Sequence, residues 1–177
     1  STTTHDTTTT KTFELPVFKY TGTDTPLKDA KFELKRNNEE TAIALTKKTP
    51  VAGETYTGDI YRVAKTGETG VTTVTTPDSG KFTIKGLDAD TYYLTETQQP
   101  AGYNKLSAPI KVVIAEDGTI KVDDSQDTTA EVKVLNNTGT ILPTTGGNGT
   151  SLIYFLGAVL ALVSGVVLIT KQRMKNS

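Results

Sequence analysis

The chain has 177 residues, 35% of them hydrophobic and 22% charged, enough for one ordinary domain with appendages. All 20 acidic groups precede residue 151 and face 16 basic ones there, a net charge of −4 that excludes the Lys/Arg-rich face of a nucleic-acid binder. Cysteine is absent and His5 is the one histidine, which excludes disulfides, thiolate chemistry, multi-histidine metal sites and His-based catalysis, and implies no metal and no cofactor.

Residues 1–11 read as a Thr-rich linker, because they offer almost no apolar surface to offset the entropy of ordering them. They contain no initiator Met, charged n-region or apolar h-region, so the sequence reads as a segment of a longer protein whose secretory signal was removed or lies upstream.

Residues 12–137 predict an all-β domain. Thr accounts for 35 residues of the chain, and its branched Cβ suits a pleated surface. Short strands are expected at 13–20, 30–35, 41–45, 59–65, 70–76, 81–84, 91–97, 109–115, 119–122 and 129–136, with a surface loop over 46–59. Asp78-Ser79-Gly80, Lys85-Gly86, Pro100-Ala101-Gly102 and Asp117-Gly118 punctuate them. So many short strands, read as antiparallel, predict a sandwich, since one sheet would leave an apolar face wet.

The period of two then singles out three positions. Phe13, Leu15 and Val17 define an inward face whose next member is Lys19. Tyr92 and Leu94 are followed on their face by Glu96, and Val132 and Val134 by Asn136. A lone buried Lys or Glu is costly unless paired, so the economical solution is that the three meet. An amine, an acid and a carboxamide are the ingredients of an amide bond. Asn137, adjacent to Asn136, is the alternative carboxamide.

These residues lie in segments that resemble the Cna B-type domain of Gram-positive pilins and adhesins, also called the SpaA-like domain, an inverse Ig-like or prealbumin-like β-sandwich. Tyr92-Tyr93-Leu94-Thr95-Glu96-Thr97-Gln98-Gln99-Pro100-Ala101-Gly102-Tyr103 is similar to that family's Y-x-L-x-E-T-x-x-P-x-G-Y box, with Gly80-Lys81-Phe82 and Gly86-Leu87 before it. The resemblance implies an autocatalytic isopeptide bond. The amine of Lys19 attacks the side-chain carbonyl of Asn136, Glu96 polarises that carbonyl and shuttles protons, and ammonia leaves. Burial disfavours charge, so a neutral amine and a neutral acid can coexist. By the chain-entropy model such a link, closing a loop of more than a hundred residues, is worth roughly 4–5 kcal/mol. It would also tie the first strand to the last, so that tension passes without unzipping the sandwich.

Residues 138–150 are Gly- and Thr-rich and read as an extended linker. Within it Leu142, Pro143, Thr144, Thr145 and Gly146 precede 20 uncharged residues, 151–170, and a basic tail, 171–177. A helix of that length spans about 30 Å, one bilayer core, and Lys171, Arg173 and Lys175 mark the cytoplasmic side of a single transmembrane helix. Gly157, Ala161 and Gly165 have the small-residue spacing of packed membrane helices, although a plain anchor needs none of it. Pentapeptide, span and tail together resemble a sortase sorting signal. This implies that a sortase thiol attacks the Thr145 carbonyl, releases Gly146 onward, and passes the acyl group to a cell-wall peptidoglycan precursor or to a lysine of another pilin subunit.

Other signals are weaker. Asp123, Asp124 and Asp127 lack the spacing of a calcium loop and read as a solvated turn. Asn136 and Asn148 begin glycosylation sequons, and Tyr20, Tyr56, Tyr61 and Tyr103 are strand aromatics that could line an adhesive patch. The expected protein is the C-terminal part of a wall-anchored pilin subunit on a Gram-positive cell surface, membrane-spanning before processing, and a sortase substrate, not an enzyme. Its alternatives are the stalk of a sortase-anchored adhesin whose host ligand binds through other domains, and the anchor of a wall-bound enzyme.

Overall fold

The structure, a computed structural model, describes residues 10–139, which form two six-stranded sheets packed face to face. In chain order the strands are β1 (Phe13–Thr21), β2 (Thr25–Pro26), β3 (Lys31–Arg36), β4 (Leu45–Lys48), β5 (Asp59–Val63) and β6 (Val74–Thr75). They continue with β7 (Lys81–Leu87), β8 (Asp90–Gln98), β9 (Ile110–Ile114), β10 (Ile120–Val122), β11 (Thr128–Thr129) and β12 (Val132–Leu135). The first sheet runs β12-β1-β7-β5-β4, with β2 pairing β1, and the second runs β11-β10-β9-β8-β3-β6. Among the described residues no helix is long and apolar enough to cross a membrane. The pentapeptide Leu142 to Gly146 expected as a sorting signal, the expected membrane span 151–170 and the tail 171–177 lie outside them.

Alternation builds the core. Leu15 and Val17 of β1, Phe82 and Ile84 of β7, Leu34 of β3, Leu94 of β8 and Val112 of β9 are all buried between the sheets. Phe32 and Phe82 meet across the interface with ring centroids 5.8 Å apart. Each such side chain contributes about 1.5–3 kcal/mol relative to exposure. Phe18, which points to the outer face of β1, is nonetheless buried: Lys81 and Lys133 lie over its ring at 4.7 and 5.9 Å, and Tyr20 stacks against it.

The structure corrects several expectations. The strands are not all antiparallel: β1 pairs β12 in parallel, and β5 pairs β7 in parallel. Strand direction is set by where the chain crosses between sheets, which local alternation does not encode. The strand expected at 41–45 sits later, at Leu45–Lys48, so the expected loop loses its first three residues to β4, whose partner is β5. Of 70–76 only Val74–Thr75 is a strand, with a single bridge from Val71 to Leu45. The expected strand 129–136 is two strands in different sheets. Thr129 Oγ1 donates to Glu131 O at 2.7 Å and accepts from Glu131 N at 3.3 Å, turning the chain from one sheet to the other. The 49–58 loop folds back on the first sheet, with the Tyr56 hydroxyl donating to Glu14 at 2.8 Å.

Candidate functional site

Lys19, Glu96 and Asn136 converge in the core, exposed by 0%, 2% and 1% respectively. Lys19 is the inward residue after Leu15 and Val17, and β1 places it opposite Val134 of β12. The ladder continues one step past β12, where Asn136 N–H donates to Tyr20 O at 3.0 Å, so the Asn136 side chain turns inward beside Lys19. Both therefore belong to the first sheet. Glu96 reaches them from β8 of the second.

Lys19 Nζ donates to Asn136 Oδ1 and, at 3.1 Å, to Val134 O. Asn136 Nδ2 donates to Glu96 Oε1 at 2.9 Å, and that same oxygen lies 3.8 Å from Lys19 Nζ. The other carboxylate oxygen accepts from Leu106 N–H at 2.7 Å. Burial pushes the Lys19 amine down from 10.5 to about 8, against the opposing pull of the Glu96 charge. A neutral amine is thus accessible near neutral pH, in contact with a carboxamide whose nitrogen already faces an acid. Attack of Nζ on Cγ of Asn136 would form one C–N bond and break another. The amine proton would pass by Glu96 Oε1 to Nδ2, which departs as ammonia.

Local backbone geometry sets the lysine. Lys19 N–H donates to Gly80 O at 2.8 Å, and Lys19 O accepts from Leu27 N–H at 2.9 Å. Gly80 has φ +65°, and a Cβ there would fall 2.3 Å from Lys19 O. Gly80→Ala is therefore expected to lower stability by at least about 2 kcal/mol, seen as an earlier thermal transition.

The remaining sequence candidates do not join this site. Asp123 is tied to Lys111, accepting from its N–H at 3.2 Å, and Asp124 pairs with the Lys111 ammonium at 3.3 Å. Tyr61 is in the core, Tyr20 stacks on Phe18, and Tyr56 bonds Glu14. Sequence reasoning missed Val134 O and Leu106 N–H, because a main-chain group carries no residue-type signal.

The model of the SpaA prealbumin-like fold domain matches residues 14–128. The chain belongs to that family. Among solved structures, the SpaA-type domain is similar to GBS52, the minor pilin of the Gram-positive pathogen Streptococcus agalactiae, with a TM-score of 0.52 and 23% identity over 77% of this chain and 48% of that one. The shaft pilin SpaA from Lactobacillus rhamnosus GG matches with a TM-score of 0.48 and 23% identity, over 75% of this chain and 48% of that one. The group B streptococcus pilus 2b backbone protein matches at 30% identity and a TM-score of 0.45, over 75% and 43%. The chain thus spans less than half the length of each. No curated protein matches it.

Proposed function

We propose that this SpaA-type domain is the C-terminal, membrane-proximal domain of a pilin subunit, a structural protein hardened by a Lys19–Asn136 isopeptide bond formed with Glu96 as proton relay. In this reading sortase cleaves after Thr145 within Leu142, Pro143, Thr144, Thr145 and Gly146. It joins the subunit to a wall precursor or to a lysine of another subunit at a Gram-positive cell surface, the span 151–170 holding the precursor in the membrane until then. The observation that carries it is one carboxylate oxygen, Glu96 Oε1, standing between a buried amine and a buried carboxamide that touch each other.

Topology supports a load-bearing role. Because β1 and β12 are parallel, the N-terminal end of one and the C-terminal end of the other lie at opposite ends of the pair. Tension entering at one linker and leaving at the other shears the whole ladder at once, and a bond between Lys19 and Asn136 takes that load covalently. The test is the intact mass of the 177-residue chain. The expected mass is one ammonia below that of the linear polypeptide, the deficit vanishing in Lys19→Ala and Asn136→Ala. An undiminished mass in the parent overturns the crosslink.

A further inference from the structure

We propose that Asn104 is a positioning residue for this crosslink, clamping the chain just beyond Asn136 so that Asn136, not Asn137, is presented to Lys19. The inference rests on the crosslink reading above. β12 ends at Leu135 and is an edge strand, held by β1 on one side only. The last bond of that ladder is Asn136 N–H to Tyr20 O, so the reactive carboxamide sits where an edge strand would fray. Two bonds from Asn104 extend the hold. Its main-chain N–H donates to Asn137 O at 2.9 Å, and its side-chain Nδ2 donates to Gly139 O. Two residues later Leu106 N–H donates to Glu96 Oε2 at 2.7 Å. One short segment therefore fixes the acid from one side and the acceptor strand from the other.

This matters because neighbouring residues of an extended chain face opposite ways. A slip by one position would turn Asn136 out and Asn137 in, exchanging one carboxamide for another beside the same amine. The clamp opposes that slip, and it holds the reacting atoms in the contact on which the rate depends.

The test is a cell-free synthesis of the 177-residue chain, stopped in denaturant at intervals, with intact mass giving the rate and peptide mapping the acceptor. Asn104→Asp is nearly isosteric but has no side-chain donor for Gly139 O. It is expected to slow crosslinking about tenfold, the scale of one lost orienting hydrogen bond, and to yield some Lys19–Asn137 product. Asn104→Gln, which keeps an amide donor, is expected to recover most of the rate. A parent-like rate and acceptor in the Asp variant overturns the clamp, even if its melting temperature falls, and so does slowing that Gln fails to relieve. Absence of ammonia loss in the parent overturns the crosslink and the clamp together, which separates the two failures.

Discussion

Glu96→Gln is expected to leave the chain at its full linear mass and to cost about 6 kcal/mol of unfolding free energy relative to the crosslinked parent. The substitution keeps the volume of the side chain and removes the group that, in the proposed reaction, takes the proton from Lys19. Most of the loss is the link itself. Lys19 and Asn136 are 117 positions apart, and by chain entropy a loop of that size is worth about 4.9 kcal/mol. A smaller part is polar mismatch. Glu96 accepts from both Asn136 Nδ2 and Leu106 N–H, whereas Gln has one accepting oxygen and must turn its own amide against one of those donors, at about 1 kcal/mol or more. Intact mass with denaturant unfolding separates the two contributions. The uncrosslinked chain should also show a steeper denaturant dependence, because its unfolded state is less compact. Asn136→Ala also lacks the link but loses the buried bonds of Asn136 to Lys19 and Glu96 as well, so the loss common to the two variants bounds the covalent part. An ammonia deficit that survives in Glu96→Gln removes Glu96 from the reaction.

The convergence that makes this argument possible was legible in three short runs of alternation. Leu15, Val17 and Lys19, then Tyr92, Leu94 and Glu96, then Val132, Val134 and Asn136 each carry a polar residue in an apolar register, and each of those residues is buried in the fold. Burial on one face is a local property of a strand, so the sequence displays it. Pairing is not local. That β1 and β12 run parallel depends on the chain changing sheets at Ala130 and Glu131, after the two-residue strand Thr128–Thr129. The alternation of 129–136 is continuous across that break and conceals it. The position of β4 was obscured for a similar reason. Its strand residues Thr46, Lys47 and Lys48 are polar on an exposed edge, and their pairing with β5 rests on main-chain bonds rather than on an apolar pattern. Of the site, the three side chains could be read. The groups that aim them, Val134 O, Gly80 O and Leu106 N–H, are main-chain atoms brought near by packing alone.

The rate of crosslink formation is expected to rise about tenfold per pH unit up to pH 8 and then level off. In the proposed reaction the nucleophile is the neutral amine, and burial lowers the Lys19 pKa from the ordinary 10.5 to about 8. At pH 6 roughly 1% of the amines are neutral, against half at pH 8. The same shift acts on the stability of chains that have not reacted. Between pH 8 and 10.5 the unfolded lysine binds a proton that the folded one has lost, so stability rises with pH across that window. Below it both states are protonated and the cost of burying the charge is present in full; above it the cost is gone. Asn136→Ala, in which desolvation of Lys19 persists, should therefore gain stability from pH 8 to 10.5. The crosslinked parent should not, because an amide nitrogen does not titrate there. Time courses of intact mass at a series of pH values test the first expectation, and unfolding of parent and Asn136→Ala across the same range tests the second. A rate that falls with rising pH would mean that deprotonation of Lys19 does not limit the reaction, and parallel stability profiles for the two chains would mean that burial does not lower the Lys19 pKa in the unreacted fold.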